Sequence, residues 1–191
     1  MAPARRIIVG VSGASGVIFG YRLLELLAAT NIQTHLIVTD SAKVTMAYET
    51  SLKYAAFADL ASVVYRNSDI AACIASGSYQ TLGMIVAPCS MKTLAEIANG
   101  TATSLLSRAA DVILKERRRL VLVARETPLS MIHLRNMLSV TEAGGIVYPP
   151  VPAFYSMPES IDDMVSHTVG RVLDLFDIQT DAVKRWKDND A

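Results

Sequence analysis

The sequence has 191 residues, 51% of them hydrophobic and 19% charged, and its 18 Lys+Arg balance 18 Asp+Glu. That length suits one α/β domain over residues 1–191, and the balanced charge argues against nucleic acid or an anionic membrane as partner. A mean hydropathy of +0.33 leaves more apolar surface than a small monomer buries, which points to oligomer interfaces.

Residues 7–11 are a continuous, β-branched apolar run, followed by Ser12-Gly13-Ala14-Ser15-Gly16 and a helical pattern over 17–29. This reads as strand, glycine loop, helix. A second β-branched run at 34–39 lies at the distance of a βαβ unit, and 84–87, 120–123 and 145–148 repeat its signature. Helical patterns occupy 91–98, 105–115 and 131–143. The alternation predicts a doubly wound, Rossmann-like or flavodoxin-like parallel sheet in a three-layer αβα sandwich. Pro149, Pro150, Pro152 and Pro158 bracket a stretch with Phe154 and Tyr155 that reads as an ordered loop. Ser160 opens a final helix with Asp163 as its capping-box partner, and Ile161, Val165, Val169, Val172 and Phe176 share its apolar face.

No apolar run reaches the roughly 20 residues of a spanning helix. Met1 to Arg6 lead into a strand without a signal h-region, so a soluble, cytoplasmic protein is expected. Cys73 and Cys89 lack metal-ligand spacing and are expected to be reduced. His35, His133 and His167 show no metal spacing, and Asp162-Asp163 lacks the further acidic residue of a diphosphate-magnesium motif. No metal is expected.

Small residues between a strand and a helix N-terminus let backbone N–H groups approach a phosphate. Gly13, Ala14, Ser15 and Gly16 occupy such a place, although a tight turn without ligand would look the same. The loop is neither a Walker A sequence nor a nucleophile elbow, and its glycine spacing departs from the dinucleotide fingerprint that Asp40 would complete. Pro88-Cys89-Ser90-Met91-Lys92-Thr93 opens another helix after a strand, either as phosphate cradle or with Ser90 as an ordinary N-cap. Cys89 reads as a small buried thiol rather than a nucleophile. Arg117 to Arg119 read as a solvated helix end. Arg125-Glu126 follow the carboxyl end of a strand, where doubly wound folds bind ligands. Taken singly, Glu49 reads as a surface carboxylate and Tyr155 as a packing aromatic. Arg171, at the border of its helix's apolar stripe, either snorkels or points into a site.

Together, Gly13-Ala14-Ser15-Gly16, Pro88 to Thr93, Arg108-Ala109-Ala110-Asp111-Val112, Leu114-Lys115-Glu116-Arg117-Arg118, Arg125-Glu126-Thr127-Pro128-Leu129 and Pro149 to Tyr155 resemble the UbiX family of flavin prenyltransferases. The resemblance runs from Ile7 to about Trp186. It implies transfer of a dimethylallyl group from dimethylallyl phosphate to N5 and C6 of reduced FMN, giving prenylated FMN for a UbiD-type decarboxylase. It implies that Gly13, Ala14, Ser15, Thr39, Ser90, Met91, Lys92, Thr93 and Arg125 help bind FMN, and that Lys115, Arg125, Tyr155 and Arg171 hold the donor. Glu49 and Glu126 match acidic residues near the reacting flavin, and with Lys115 and Arg125 form the implied catalytic group. Position 39 is often serine in relatives, and threonine keeps the hydroxyl. The tryptophan that some relatives carry shortly before the segment matching Ala75 to Ser78 has no counterpart here. A homododecamer with sites at subunit junctions is also implied.

The implied cations would replace magnesium, since a cation at about 4 Å from the leaving phosphate is worth about 4 kcal/mol at an effective dielectric of 20. Two other readings remain: a flavin-containing cysteine decarboxylase, which needs a histidine after the glycine loop, and a flavodoxin-like FMN carrier. No histidine precedes His35.

Overall fold

The computed structural model describes residues 5–186. The five apolar runs form strands β1 (Arg6–Val11), β2 (Gln33–Val38), β4 (Gly83–Cys89), β5 (Arg119–Ala124) and β6 (Ile146–Val147), and a sixth, β3 (Val63–Tyr65), joins them. All pair in parallel, in the order β3-β2-β1-β4-β5-β6. Without β3 the order would be that of flavodoxin-like sheets, and with it the order is the Rossmann one. Either way the direction of winding reverses between β1 and β4, whose register aligns Ile8 with Met84 and Gly10 with Val86.

Successive side chains of a strand point to opposite faces. Ile7, Val9 and Val11 of β1, with Val38, Ile85 and Val123, pack under α1 (Val17–Ala28) and α7 (Ile161–Asp174). Ile8, Ile37, Met84, Val86, Leu120 and Leu122 pack under α4 (Met91–Ala98) and α5 (Leu105–Lys115), with Val140 of α6 (Met131–Glu142). Covering on both faces explains why these strands read as unbroken apolar runs. Leu23, Leu24 and Leu27 of α1 are fully buried, each contributing about 1.5–3 kcal/mol by transfer from water. Gly20 lets α1 lie close on the sheet, because a Cβ there would come within 2.5 Å of the Ala87 carbonyl oxygen.

Two helices follow β2: α2 (Asp40–Glu49), which ends at Glu49, and α3 (Tyr54–Asp59). The capping box of α7 forms as read, with Ser160 and Asp163 each taking the other's backbone N–H. The proline-bounded loop contains a 3₁₀ turn at Phe154–Ser156. One reading is corrected. Arg118 is no solvated helix end: its side chain is 13% exposed, and its guanidinium donates to the carbonyls of Tyr79 (2.8 Å) and Gly77 (2.6 Å). Burial of a polar group demands such partners.

Candidate active site

The reversal of winding opens a crevice between the loops that leave β1 and β4. Ser12 ties its walls together. This serine is fully buried; its hydroxyl donates to the Pro88 carbonyl at 3.0 Å and accepts from the Ser90 amide at 2.8 Å. Its own amide donates to the same Pro88 oxygen. Sequence reasoning missed Ser12, although a hydroxyl closing a buried strand, before the flexible glycines begin, was the available signal.

Gly13 follows at close quarters with α2, where a Cβ would fall 2.5 Å from the Ser41 side chain. Thr39 caps α2 by accepting from the Ala42 amide at 3.1 Å, and its hydroxyl lies 3.0 Å from that of Ser41. Ser90 caps α4, accepting from the Thr93 amide at 3.3 Å, with its hydroxyl 3.2 Å from that of Thr93. The N-cap reading of Ser90 is therefore correct. Thr93 is buried, whereas the Lys92 side chain is 82% exposed and pairs with Glu96. What Lys92 offers the crevice is its backbone N–H in the first turn of α4.

Glu49 reaches the same crevice from the end of α2. Its Oε2 accepts from the amides of Gly16 (2.8 Å) and Val17 (3.2 Å), so it supplies the cap that α1 lacks at Gly16. A carboxylate there satisfies orphan donors and meets the positive end of the helix. Among the described residues, the amides of Gly13 and Ser15 meet no acceptor. Those two remain to receive an anion.

Arg125 closes the crevice from β5, its amide donating to the Cys89 carbonyl at 3.2 Å. Its side chain is exposed and makes no ion pair among the described residues. Glu126 is exposed beside it, accepting from the Thr127 amide. Burial pushes the Cys89 thiol well above its ordinary range, which keeps it protonated and unreactive.

Tyr155 and Arg171 form a second group. Tyr155 meets His167 and Trp186 edge-on, at centroid distances of 5.7 and 5.5 Å. Arg171 on α7 donates to Asp174 Oδ2 at 2.6 Å, and Arg185 donates to both oxygens of the same carboxylate at 3.1 and 3.0 Å. Burial opposes ionisation of Asp174, but the hydrogen bonds from Arg185 and Arg171 outweigh it and hold the carboxyl below its usual range. Tyr148 stands within the field of Arg171, Tyr155 and Asp174, and burial raises its pKa.

Lys115 is not brought to either group. It ends α5 just before β5 begins at Arg119, so it lies at the amino edge of the sheet, while Arg125 follows the carboxyl edge. A six-residue strand separates them by about 20 Å. There the Lys115 ammonium pairs with Glu116 at 2.5 Å, against Gly77. The signal was in the chain order, since a residue between a helix and the next parallel strand sits at the strand's start.

Among the described residues, no group of three His, Cys, Asp or Glu side chains could hold a metal ion, and no helix is long and apolar enough to cross a membrane. A family profile described as Flavoprotein matches residues 1–173. The flavin prenyltransferase UbiX of Neisseria meningitidis serogroup B is 52% identical over 96% of this chain and 97% of its own. A crystal structure of AnUbiX (PadA1) in complex with FMN and dimethylallyl pyrophosphate superposes with a TM-score of 0.94 at 53% identity, covering 96% of this chain and 97% of that one. A dodecameric FMN-dependent Ubix-like decarboxylase from Escherichia coli O157:H7 gives a TM-score of 0.93 at 50% identity, over 95% and 98%. With half of its residues shared over nearly the whole of each relative, and the same sheet beneath them, this chain belongs to the UbiX family of flavin prenyltransferases within the flavoproteins.

Proposed function

We propose that this protein transfers the dimethylallyl group of dimethylallyl phosphate to N5 and C6 of reduced FMN, and that a UbiD-type decarboxylase receives the prenylated FMN. The observation that carries this reading is the identity of about half the residues with flavin prenyltransferases across nearly the full chain. FMN fits the crevice. Glycine at 13 leaves backbone open where a Cβ would clash, and the Gly13 and Ser15 amides are available to an anion. Ala14, Ser15, Thr39, Ser90, Met91, Lys92, Thr93 and Arg125 complete the FMN site in this reading. The Thr93 hydroxyl can accept from Ser90 and donate its own hydrogen bond to a phosphate oxygen.

When bound, reduced FMN supplies the electron-rich nitrogen and carbon that the allyl group joins. The remaining work belongs to side chains. Arg125, Tyr155 and Arg171 bind the donor's phosphate and stabilise it as it departs, and Glu126 moves a proton. Glu49, committed to the α1 amides through Oε2, has its other oxygen for the same task. Lys115, on the far edge of its own sheet, would serve the site of a neighbouring copy, which fits a homododecamer with shared sites. Exposed Met131, Ile132, Leu134 and Leu138 on α6 suit such contacts. We read residues 1–191 as one flavin-binding domain, and its two free cysteines suit the cytoplasm.

Anaerobic incubation with reduced FMN and dimethylallyl phosphate, followed by mass analysis of the extracted flavin, tests the reading. A prenylated flavin is expected, and unmodified flavin alone would overturn it. Arg125→Ala should slow product formation by about 10²–10³. Glu126→Gln should slow it while leaving the KM for the donor near wild type.

A further inference from the structure

We propose that His133 is a positioning residue for the transfer reaction: its imidazole, the acceptor in the capping box of α6, fixes the far end of the loop that carries Arg125 and Glu126. The inference rests on the reading that those two residues serve the reaction.

The loop is tied at its two ends. At the near end the Arg125 amide donates to the Cys89 carbonyl at 3.2 Å. At the far end Ser130 caps α6: its hydroxyl accepts from the His133 amide at 3.3 Å, and its own amide donates to His133 Nδ1 at 3.2 Å. Between these ties the Thr127 amide donates to the Glu126 carboxylate, a bond internal to the loop, and residues 126–129 are all exposed. Little packing therefore stands in for the ties. A reacting group displaced by about 1 Å can cost about 10² in rate, so the hold on Ser130 matters to Glu126.

The usual residue at this place in a capping box is Glu or Gln. Histidine accepts only through a ring nitrogen that carries no proton. Nδ1 faces the Ser130 N–H, so the ring is neutral with its proton on Nε2. A proton on Nδ1 would set donor against donor and put a positive charge in the first turn, at the positive end of α6. The Ser130 amide is exposed, so water can take it, and the box opens without unfolding the helix. His133 makes no ion pair among the described residues. Arg135, two positions on, faces away from it on the helix. α4, which packs against α6, carries Lys92 and Glu96, paired with each other at 3.0 Å, and β6, the other element packed there, carries no charge.

The test is kcat/KM for dimethylallyl phosphate at saturating reduced FMN, followed from pH 8 to 5.5 for wild type, His133→Glu, His133→Ala, Arg125→Ala and Glu126→Gln. The donor's phosphate titrates in this range in every variant, so the readout is the ratio of wild type to His133→Glu, whose carboxylate keeps an acceptor for Ser130 throughout. That ratio should fall about fivefold as the pH drops, the equivalent of one lost cap. At pH 8, His133→Ala should be about fivefold slower than wild type and His133→Glu close to it. A ratio that stays constant with pH, or a His133→Ala protein as active as wild type, would overturn the inference, while slow Arg125→Ala and Glu126→Gln proteins would leave the underlying reading standing. Full activity of those two would overturn the reading and the inference together. If His133→Glu loses activity and thermal midpoint as much as His133→Ala, the imidazole is a packing group and the inference is wrong.

Discussion

Replacing Ser12 by alanine removes the one hydroxyl that joins the two walls of the crevice. The Pro88 carbonyl keeps its bond from the Ser12 amide, but the Ser90 amide, now held at 2.8 Å, loses its acceptor beside a serine that is itself fully buried. An orphaned buried donor costs about 1–3 kcal/mol. Taking about 2 kcal/mol, and a shift of about 2–4 °C per kcal/mol for a chain of this size, the thermal midpoint should fall by about 4–8 °C. The comparison must be made at one protein concentration, because assembly also stabilises. FMN affinity, followed by quenching of flavin fluorescence, should fall as well, since Ser90 begins the helix assigned to FMN. Ser90→Ala is the control for stability: it loses the α4 cap, about 1 kcal/mol, and the contact with the Thr93 hydroxyl while leaving the Ser12 bonds in place, and its midpoint should fall less. A Ser12→Ala protein that melts within 1 °C of wild type and binds FMN equally well would refute the idea that this hydroxyl sets the crevice.

Glu49→Ala uncaps α1 and should cost about 1 kcal/mol, while Glu49→Gln keeps an acceptor for the Gly16 amide; equal melting of the two would show that the cap contributes nothing. Gly20→Ala should destabilise by about 1–3 kcal/mol, because the new methyl meets the Ala87 carbonyl at 2.5 Å, and a midpoint at or above wild type would contradict that packing. His35 is held neutral, its pKa lowered by burial and then by Arg6 from the model-compound value of 6.5. The unfolded chain therefore binds the extra proton, and stability should decline as pH falls below about 6.5 until the folded-state pKa is passed; a denaturation midpoint flat from pH 7 to 5 would refute this. Turnover should survive EDTA if, as proposed, cationic side chains take the place of a metal at the phosphate, and loss restored by magnesium would show that they do not.

Much of the fold was legible because burial on both faces writes itself as unbroken β-branched runs. The bounds of α4 and α5 were read to the residue, since caps at Ser90 and Ser104 and apolar spacing agree there. The strand β3 escaped because Val63–Tyr65 has three residues at a half-exposed edge, too few for a period. The crevice loops were legible from glycines and caps. Its closure by Ser12 and the capping of α1 by Glu49 were not, because each joins segments that are 76 and 33 residues apart, and local pattern carries no such distance. Arg118 misled for the same reason: its carbonyl partners lie about 40 residues earlier in the chain.

The sheet ends in strands of three and two residues, β3 and β6. An edge that short offers another chain almost no free ladder to extend, and stray pairing of sheet edges is the usual route from soluble β-containing proteins to fibres. A protein with this much apolar surface can thus be concentrated into a large assembly whose cohesion comes from helix faces and loops, such as the exposed Met131, Ile132 and Leu138 of α6. Side-chain surfaces specify geometry in a way that backbone ladders do not, and an assembly whose contacts obey a closed point symmetry ends instead of growing without limit.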